Sequence, residues 1–158
     1  MKIIKLTNGG EAFVDDEDFE RLSKYTWRRK DDGRTSYAKA YGGGGRKNRI
    51  TLLMHRKLME VPRGVVIDHV DGNGLNNQKN NLRVCTCEQN HWNRHRLNSN
   101  NTSGYRGVSW DKKTNKWLVR VGYDGKRVYG GLFENRDSAV VVYKKITSEL
   151  YGEYVGSV

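Results

Sequence analysis

The sequence predicts an α+β chain in two parts: a β-rich N-terminal part leading into a compact ββα unit, then a small βββα domain. Three observations carry that expectation. Strand-like runs separated by Gly- and Asn-rich turns fill the first 97 of the 158 residues. A Ser/Asn/Gly cluster, LNSNNTSG at residues 97–104, breaks the pattern and reads as a linker over 98–103. Hydrophobic residues make up only 35% of the chain, which argues against one large core and for small domains sharing the chain, 1–97 and 104–158.

Taken in order, KIIKLTNGGEAFV reads as two strands joined at Asn8-Gly9-Gly10, followed by an acidic-capped helix over residues 16–23. Residues 35–41 and 49–54 read as two further strands around the tip GGGGRKN, whose main-chain amides could approach a phosphate or simply form a hairpin loop. HRKLMEVP suggests a short helix ended at Pro62. An apolar strand then runs into Asp68-His69 and the turn-forming DGNG, and residues 80–93 read as strand or turn passing into helix. Beyond the linker, YRGVSW, KWLVRVGY and KRVYGGLF read as three strands, the last two joined by Asp124-Gly125. NRDSAVVVYKKITSELYG completes the chain as an amphipathic helix. Asn135 or Asp137 can cap it, Ala139, Val142, Tyr143, Ile146 and Leu150 line one face, and Gly152 can end it.

The formal net charge of +11 points to a polyanionic partner. Nucleic acid fits better than membrane, since no apolar run approaches ~18 residues and no basic amphipathic helix stands out. The N-terminus turns polar too early for a signal peptide, and Cys85 and Cys87 lie too close together to staple a fold, so a cytoplasmic protein is expected. The charge is unevenly spread. Residues 104–133 carry seven basic side chains against two acidic ones, whereas 134–158 carry three against four. Alternation in the central strand places Trp117, Val119, Val121 and Tyr123 on the face under the helix. Leu118, Arg120 and Gly122 are left on the other face, joined by Arg127 and Tyr129 from the next strand. A basic sheet face suits a DNA backbone or groove, the lesser alternative being an ordinary solvated face.

YRGVSW, KWLVRV, KRVYGGLF and the helix bearing Ala139 and Tyr143 resemble the plant ethylene-response-factor (apetala-two) DNA-binding domain, over about residues 104–155. That resemblance implies a three-stranded sheet laid in the major groove, with Arg106, Ser109, Lys112, Arg120, Arg127 and Tyr129 as DNA contacts. The chain departs from the family pattern at Ser109, Arg120, Gly122 and Tyr129, so the plant target sequence does not carry over.

Residues 67–74, taken alone, read more readily as a polar turn with a half-exposed histidine than as a site. Their residue types nevertheless suit phosphodiester hydrolysis. A neutral imidazole can take a proton from water, and carboxylate and amide oxygens suit a hard divalent ion. The longer pattern IDHVDGNGLNNQKNNLRVCTCEQNHWN resembles the HNH endonuclease motif, in the variant typical of phage and intron homing enzymes. LLMHRKLMEVPRG and MKIIKLTNGGEAFVDDEDFERLSKYTW resemble the segments that precede it there. The resemblance implies a ββα-metal (HNH) nuclease motif over about residues 65–95, followed by a small βββα DNA-binding domain. It implies His69 as general base, Asp68 as metal ligand and Asn81 as the central asparagine that braces the loop and orients the base. Asn90 would be the second metal ligand, with the adjacent His91 as competitor and Asn93 as a brace or phosphate contact. His55 is expected to be structural or to touch phosphate.

A structural zinc on Cys85, Cys87, His91 and His95 is disfavoured by the Cys-x-Cys spacing, and both cysteines are expected to pack the ββα core. The expectation is thus a site-specific DNA endonuclease, homing-type, nicking or cleaving double-stranded DNA. It would use Mg²⁺, with Mn²⁺ able to substitute, and no small-molecule cofactor. It would act as a monomer or weak dimer, in a bacterial host cell if phage-encoded. The competing expectations are a non-catalytic, regulatory DNA-binding protein and, behind it, an RNA-binding protein.

Overall fold

The computed structural model describes residues 1–33, 35–43, 50–94 and 97–156. Most of the expected glycine tip and His95 fall outside them. The chain is mixed α and β, as expected, and divides into two compact units, Met1–Asn90 and His91–Val158. Among the described residues no helix is long and apolar enough to cross a membrane.

In the first unit β1 (Lys2–Lys5) and β2 (Glu11–Val14) pair antiparallel. Gly9 and Gly10, both at φ +92, turn the chain between them where a side chain would be strained. Helix α1 (Asp16–Ser23) carries three acids in its first turn, which suits the positive end of its dipole. A second sheet holds β3 (Arg28–Asp31), β4 (Ser36–Gly42) and β5 (Ile50–Leu53) in the order β3-β4-β5. β3 was not expected, because RRKD has no apolar residue to alternate; pairing with β4 alone makes it a strand.

Helix α2 (Met54–Met59) follows β5 without a break, so Met54 is helical and buried rather than extended. The helix stops at Glu60, in the left-handed conformation at φ 49, before Pro62 is reached. Next come β6 (Val66–His69), a 3-10 turn (Lys79–Asn81), β7 (Leu82–Cys85) antiparallel to β6, and α3 (Cys87–Trp92). Ile4, Leu6, Ala12, Val14, Leu22, Trp27, Ala38, Ala40, Met54, Leu58 and Leu82 form one core. Trp27 is 1% exposed and satisfies its only polar atom by donating to the Leu22 carbonyl at 2.8 Å.

The second unit holds β8 (Val108–Asp111), β9 (Lys116–Tyr123) and β10 (Lys126–Phe133) in the order β10-β9-β8, with α4 (Arg136–Tyr151) packed on one face. Its core is Val108, Val119, Val121, Ala139 and Val140. The Asn135 side chain accepts from the Asp137 and Ser138 amides and so caps α4. Of the expected stripe of α4, Ala139 is buried and Tyr143, Ile146 and Leu150 pack against the core; Val142 is only partly buried and lies outside that cluster, while Val140 and Thr147 are buried without having been expected. Thr147 tolerates burial because its hydroxyl donates back to the Tyr143 carbonyl at 3.0 Å. Tyr123 stacks on Trp92, which also stacks on Tyr151, the last residue of α4, at 4.5 Å. Asn101 and Ser103, read from the sequence as linker, are hydrogen-bonded to the carbonyls of Tyr105 and Val108, and Ser103 is 2% exposed.

Candidate active site

β6 delivers Asp68 and His69 side by side, both 5% exposed, so the expected half-exposed histidine is a buried one. Neighbouring strand residues point to opposite faces, and the two side chains meet different partners. Asp68 lies across the ladder from Arg83, whose Nε and Nη2 donate to the same carboxylate oxygen at 3.0 and 2.8 Å. His69 meets two other rings. His55 of α2 stands at right angles to it with centroids 5.1 Å apart, and Tyr37 of β4 lies 5.9 Å from it and 5.4 Å from His55. Arg56 ties α2 to the entrance of β6 by donating to the carbonyls of Val65 at 2.7 Å and Pro62 at 2.6 Å.

Burial holds the His69 imidazole below its ordinary value; the Asn77 amide and the charges of Asp71 and Asp68 only partly offset this. His69 is therefore neutral at pH 7, the form that accepts a proton. His55 is pushed down to about 3 by burial, with the charges of His69 and Arg56 adding to it, and stays neutral as well.

The loop 71–77 explains the crowd of short amides. Asp71 accepts from the Asn73 main chain at 2.8 Å, from Asn81 Nδ2 at 2.9 Å and from Asn76 Nδ2 at 2.7 Å. Those bonds outweigh burial and hold its carboxyl below the usual range. Asn81 also donates to the Asn76 carbonyl at 2.8 Å and accepts from the Asp71 amide at 3.0 Å. One buried side chain thus spans both ends of the loop that follows the histidine. The loop docks on β2, where the Phe13 amide donates to Leu75 and the Asn77 amide donates to Phe13. Asp15 anchors the next turn, its carboxylate accepting from Gln78 Nε2 at 3.2 Å and the Lys79 amide at 2.8 Å. Asp15, Tyr37, Asn76, Asn77 and Arg83 escaped the sequence reading. Only the Asx-turn composition of the loop carried a signal for any of them.

Burial first, then the Asp68 charge, push the Cys85 thiol up to about 11, and the Arg83 charge and a hydrogen bond from the Asn90 main chain only partly offset the rise. A thiol that keeps its proton is a poor soft-metal ligand. Of the two expected metal ligands, the Asp68 carboxylate is held by Arg83 and the Asn90 side chain is exposed, and both offer hard oxygens of the kind a divalent ion such as Mg²⁺ prefers. Among the described residues no group of three or more His, Cys, Asp or Glu is gathered as a metal cage. Cys87 is exposed rather than packed in the core.

In the second unit, register brings Ser109 opposite Leu118, Arg120 opposite Tyr129 and Gly122 opposite Arg127, on the face away from α4. Ser109, Arg120, Arg127 and Tyr129 are exposed there, and Lys112 is exposed in the β8–β9 turn. Arg106 is placed differently. Its Nη1 donates to the carbonyls of His91 at 3.0 Å, Trp92 at 3.4 Å and Arg94 at 2.9 Å, closing the end of α3. Asn98, Asn100, Asn101 and Thr102 line a cleft of about 240 Å³ with Ser109 and Arg120, which the linker reading did not anticipate.

Comparison with known proteins finds the following similarities in sequence. A family model described as HNH endonuclease matches residues 59–92. Protein 3.8 of Escherichia phage T7 is 38% identical over 96 residues, covering 60% of this chain and 76% of that protein. An uncharacterized HNH endonuclease, L560, of Acanthamoeba polyphaga mimivirus is 29% identical over 148 residues, covering 92% of this chain and 73% of the relative. No solved structure matches the chain significantly.

Proposed function

The chain belongs to the HNH endonuclease family and is a DNA-cleaving enzyme; from that premise we propose that it is a site-specific, homing-type nuclease with His69 as its general base. The observation that carries the reading is the buried, neutral His69 beside Asp68, on a strand whose following loop is locked by Asn81. His69 would take the proton of the attacking water, and the His55 and Tyr37 rings packed on it limit the orientations it can adopt. Asn81 holds the loop shut behind it. Asp68 and Asn90 would hold the divalent ion, Mg²⁺ in the first place with Mn²⁺ as substitute. When bound, that ion would offset charge on the phosphate and on the departing 3′ oxygen. Arg83 keeps the Asp68 carboxylate in place and balances its charge.

Residues 104–158 would find the target through the exposed sheet face of Ser109, Arg120, Arg127 and Tyr129, with Lys112 at its edge. Arg106 belongs to the framework on this reading, since its guanidinium serves main-chain carbonyls. A monomer carrying one such site would nick one strand of double-stranded DNA. Incubating supercoiled plasmid that carries candidate target DNA with the protein and Mg²⁺ tests the chemistry. Wild type should convert it to the open circle, and His69→Ala should be slower by at least about 10²-fold. Equal rates for the two proteins would remove His69 from the mechanism.

A further inference from the structure

The outward face of β3 and β4 carries a row of cations that the proposed chemistry does not use. Ala38 and Ala40 are 1% exposed and face the core, so alternation turns Tyr37, Lys39 and Tyr41 to the other face, where Tyr37 is covered by His55 and His69 and Tyr41 is exposed. Register sets Arg28 directly opposite Lys39, and Lys30 opposite Tyr37. Two like charges facing each other across an antiparallel pair are destabilising. Arg29, on the other face of β3, is paired with Asp31 at 2.9 Å, yet among the described residues no carboxylate pairs with Arg28, Lys30 or Lys39. Charge on an edge strand such as β3 also discourages pairing with other chains. Lys39, however, sits on the central strand, where that need does not arise. Its ammonium stands 4.5 Å over the ring of Tyr41, itself 42% exposed. Asn8, Arg28, Arg29, Lys30, Lys39 and Tyr41 together line an open depression of about 240 Å³.

The position of this row gives it meaning. Tyr37 occupies the same face of β4 and packs against His55 and His69. At roughly 3.4 Å per residue, Lys39 is about 7 Å and Tyr41 about 14 Å along the strand from Tyr37. Cations interleaved with an exposed aromatic therefore lead directly away from the candidate base. An open row of this kind suits a repeating anion, where an enclosed pocket would suit a single one.

We propose that Arg28, Lys30, Lys39 and Tyr41 form a phosphate-backbone surface of the first unit, which grips the DNA strand flanking the scissile phosphate. The identity of the polyanion rests on the nuclease reading above; the surface itself rests on the register and on cations that no carboxylate among the described residues pairs with. Binding of a fluorescent DNA duplex, measured against salt concentration in a His69→Ala background, separates the two. Arg28→Gln/Lys39→Gln should weaken binding and lower the slope of log affinity against log salt by about two, since each lost phosphate contact removes about 0.9. The charge-conserving swap Arg28→Lys/Lys39→Arg should keep the slope. Lys5→Gln/Lys24→Gln, which removes the same charge from exposed positions elsewhere in the unit, should keep it too. An unchanged slope in the first variant, or an equal fall in the Lys5/Lys24 control, would overturn the proposal. A wild-type protein that fails to cut while the Arg28/Lys39 slope still falls would sink the nuclease reading and leave this surface standing.

Discussion

At the scale of single residues, the environment of the two histidines decides what each can do. His69 and His55 are both buried and both held neutral, but only His69 adjoins a carboxylate and heads a braced loop. His55 instead makes stability depend on pH. Its folded value of about 3 lies below the ordinary histidine value near 6.5, so the unfolded chain takes up the proton first. Stability is therefore unaffected by this group above pH 6.5 and falls as pH drops toward 3. By pH 4.5 the loss from His55 should be roughly 2–3 kcal/mol. His69 acts in the same direction, while Asp18 and Asp71, lowered below the usual carboxylate range, release their contributions only under more acid conditions. Urea unfolding at pH 7.5 and 4.5 measures this. His55→Gln should flatten the pH dependence, and an identical dependence in the variant would mean that His55 is not buried neutral. The sequence offered His55 as structural or phosphate-binding and could not separate the two. Residues 55 and 69 meet only through the packing of α2 against β6.

At the scale of elements, the loop 71–77 is the most informative piece. Its turn character was legible, since Asp, Gly and Asn at these positions bond their own main chain. What it touches was not. A Cβ placed on Gly74 would lie 2.5 Å from the Ser36 carbonyl and 2.7 Å from the Tyr37 ring, so β4 and the loop close on each other with no room to spare. Gly74→Ala should cost about 1–3 kcal/mol of stability by chemical denaturation and should slow cleavage as well, because Tyr37 is also the ring against His69. Wild-type stability in that variant would show that the loop can retreat. β3 illustrates the opposite limit of legibility. Strand formation there follows from pairing with β4 alone, and a polar run without alternation carries no trace of it. The sheet of the second unit was readable for the converse reason: Val119 and Val121 alternate cleanly with Arg120 and Gly122, and burial follows that alternation.

At the scale of the whole molecule, the net charge of +11 and two separate cores are the governing facts. DNA binding should weaken steeply with salt because counterions released from the backbone drive much of it. Arg120→Ala with Arg127→Ala should reduce affinity and flatten that dependence by about two units of slope. Fluorescence anisotropy between 50 and 200 mM salt is the relevant measurement, and an unchanged slope would mean that the exposed face of β8–β10 is not the reader. Because Arg28 and Lys39 are proposed to act on the same substrate from the first unit, the two double variants should add if their contacts are independent.

The sequence by itself carried the family resemblance. The roles proposed for Asp68, His69, Asn81 and Asn90 come from their match to a motif recorded in one-dimensional order, whereas residues 67–74 alone read more readily as a polar turn. Strand alternation and the cap at Asn135 were legible on the same ground, since each is set by near neighbours. Tertiary structure alone decided the partners. Arg83 reaches Asp68, Tyr37 and His55 reach His69, Asp15 anchors Lys79, and Arg106 serves carbonyls more than ten residues away. Each of these joins positions far apart in the chain through strand register and burial, and neither quantity is defined until the whole unit has folded.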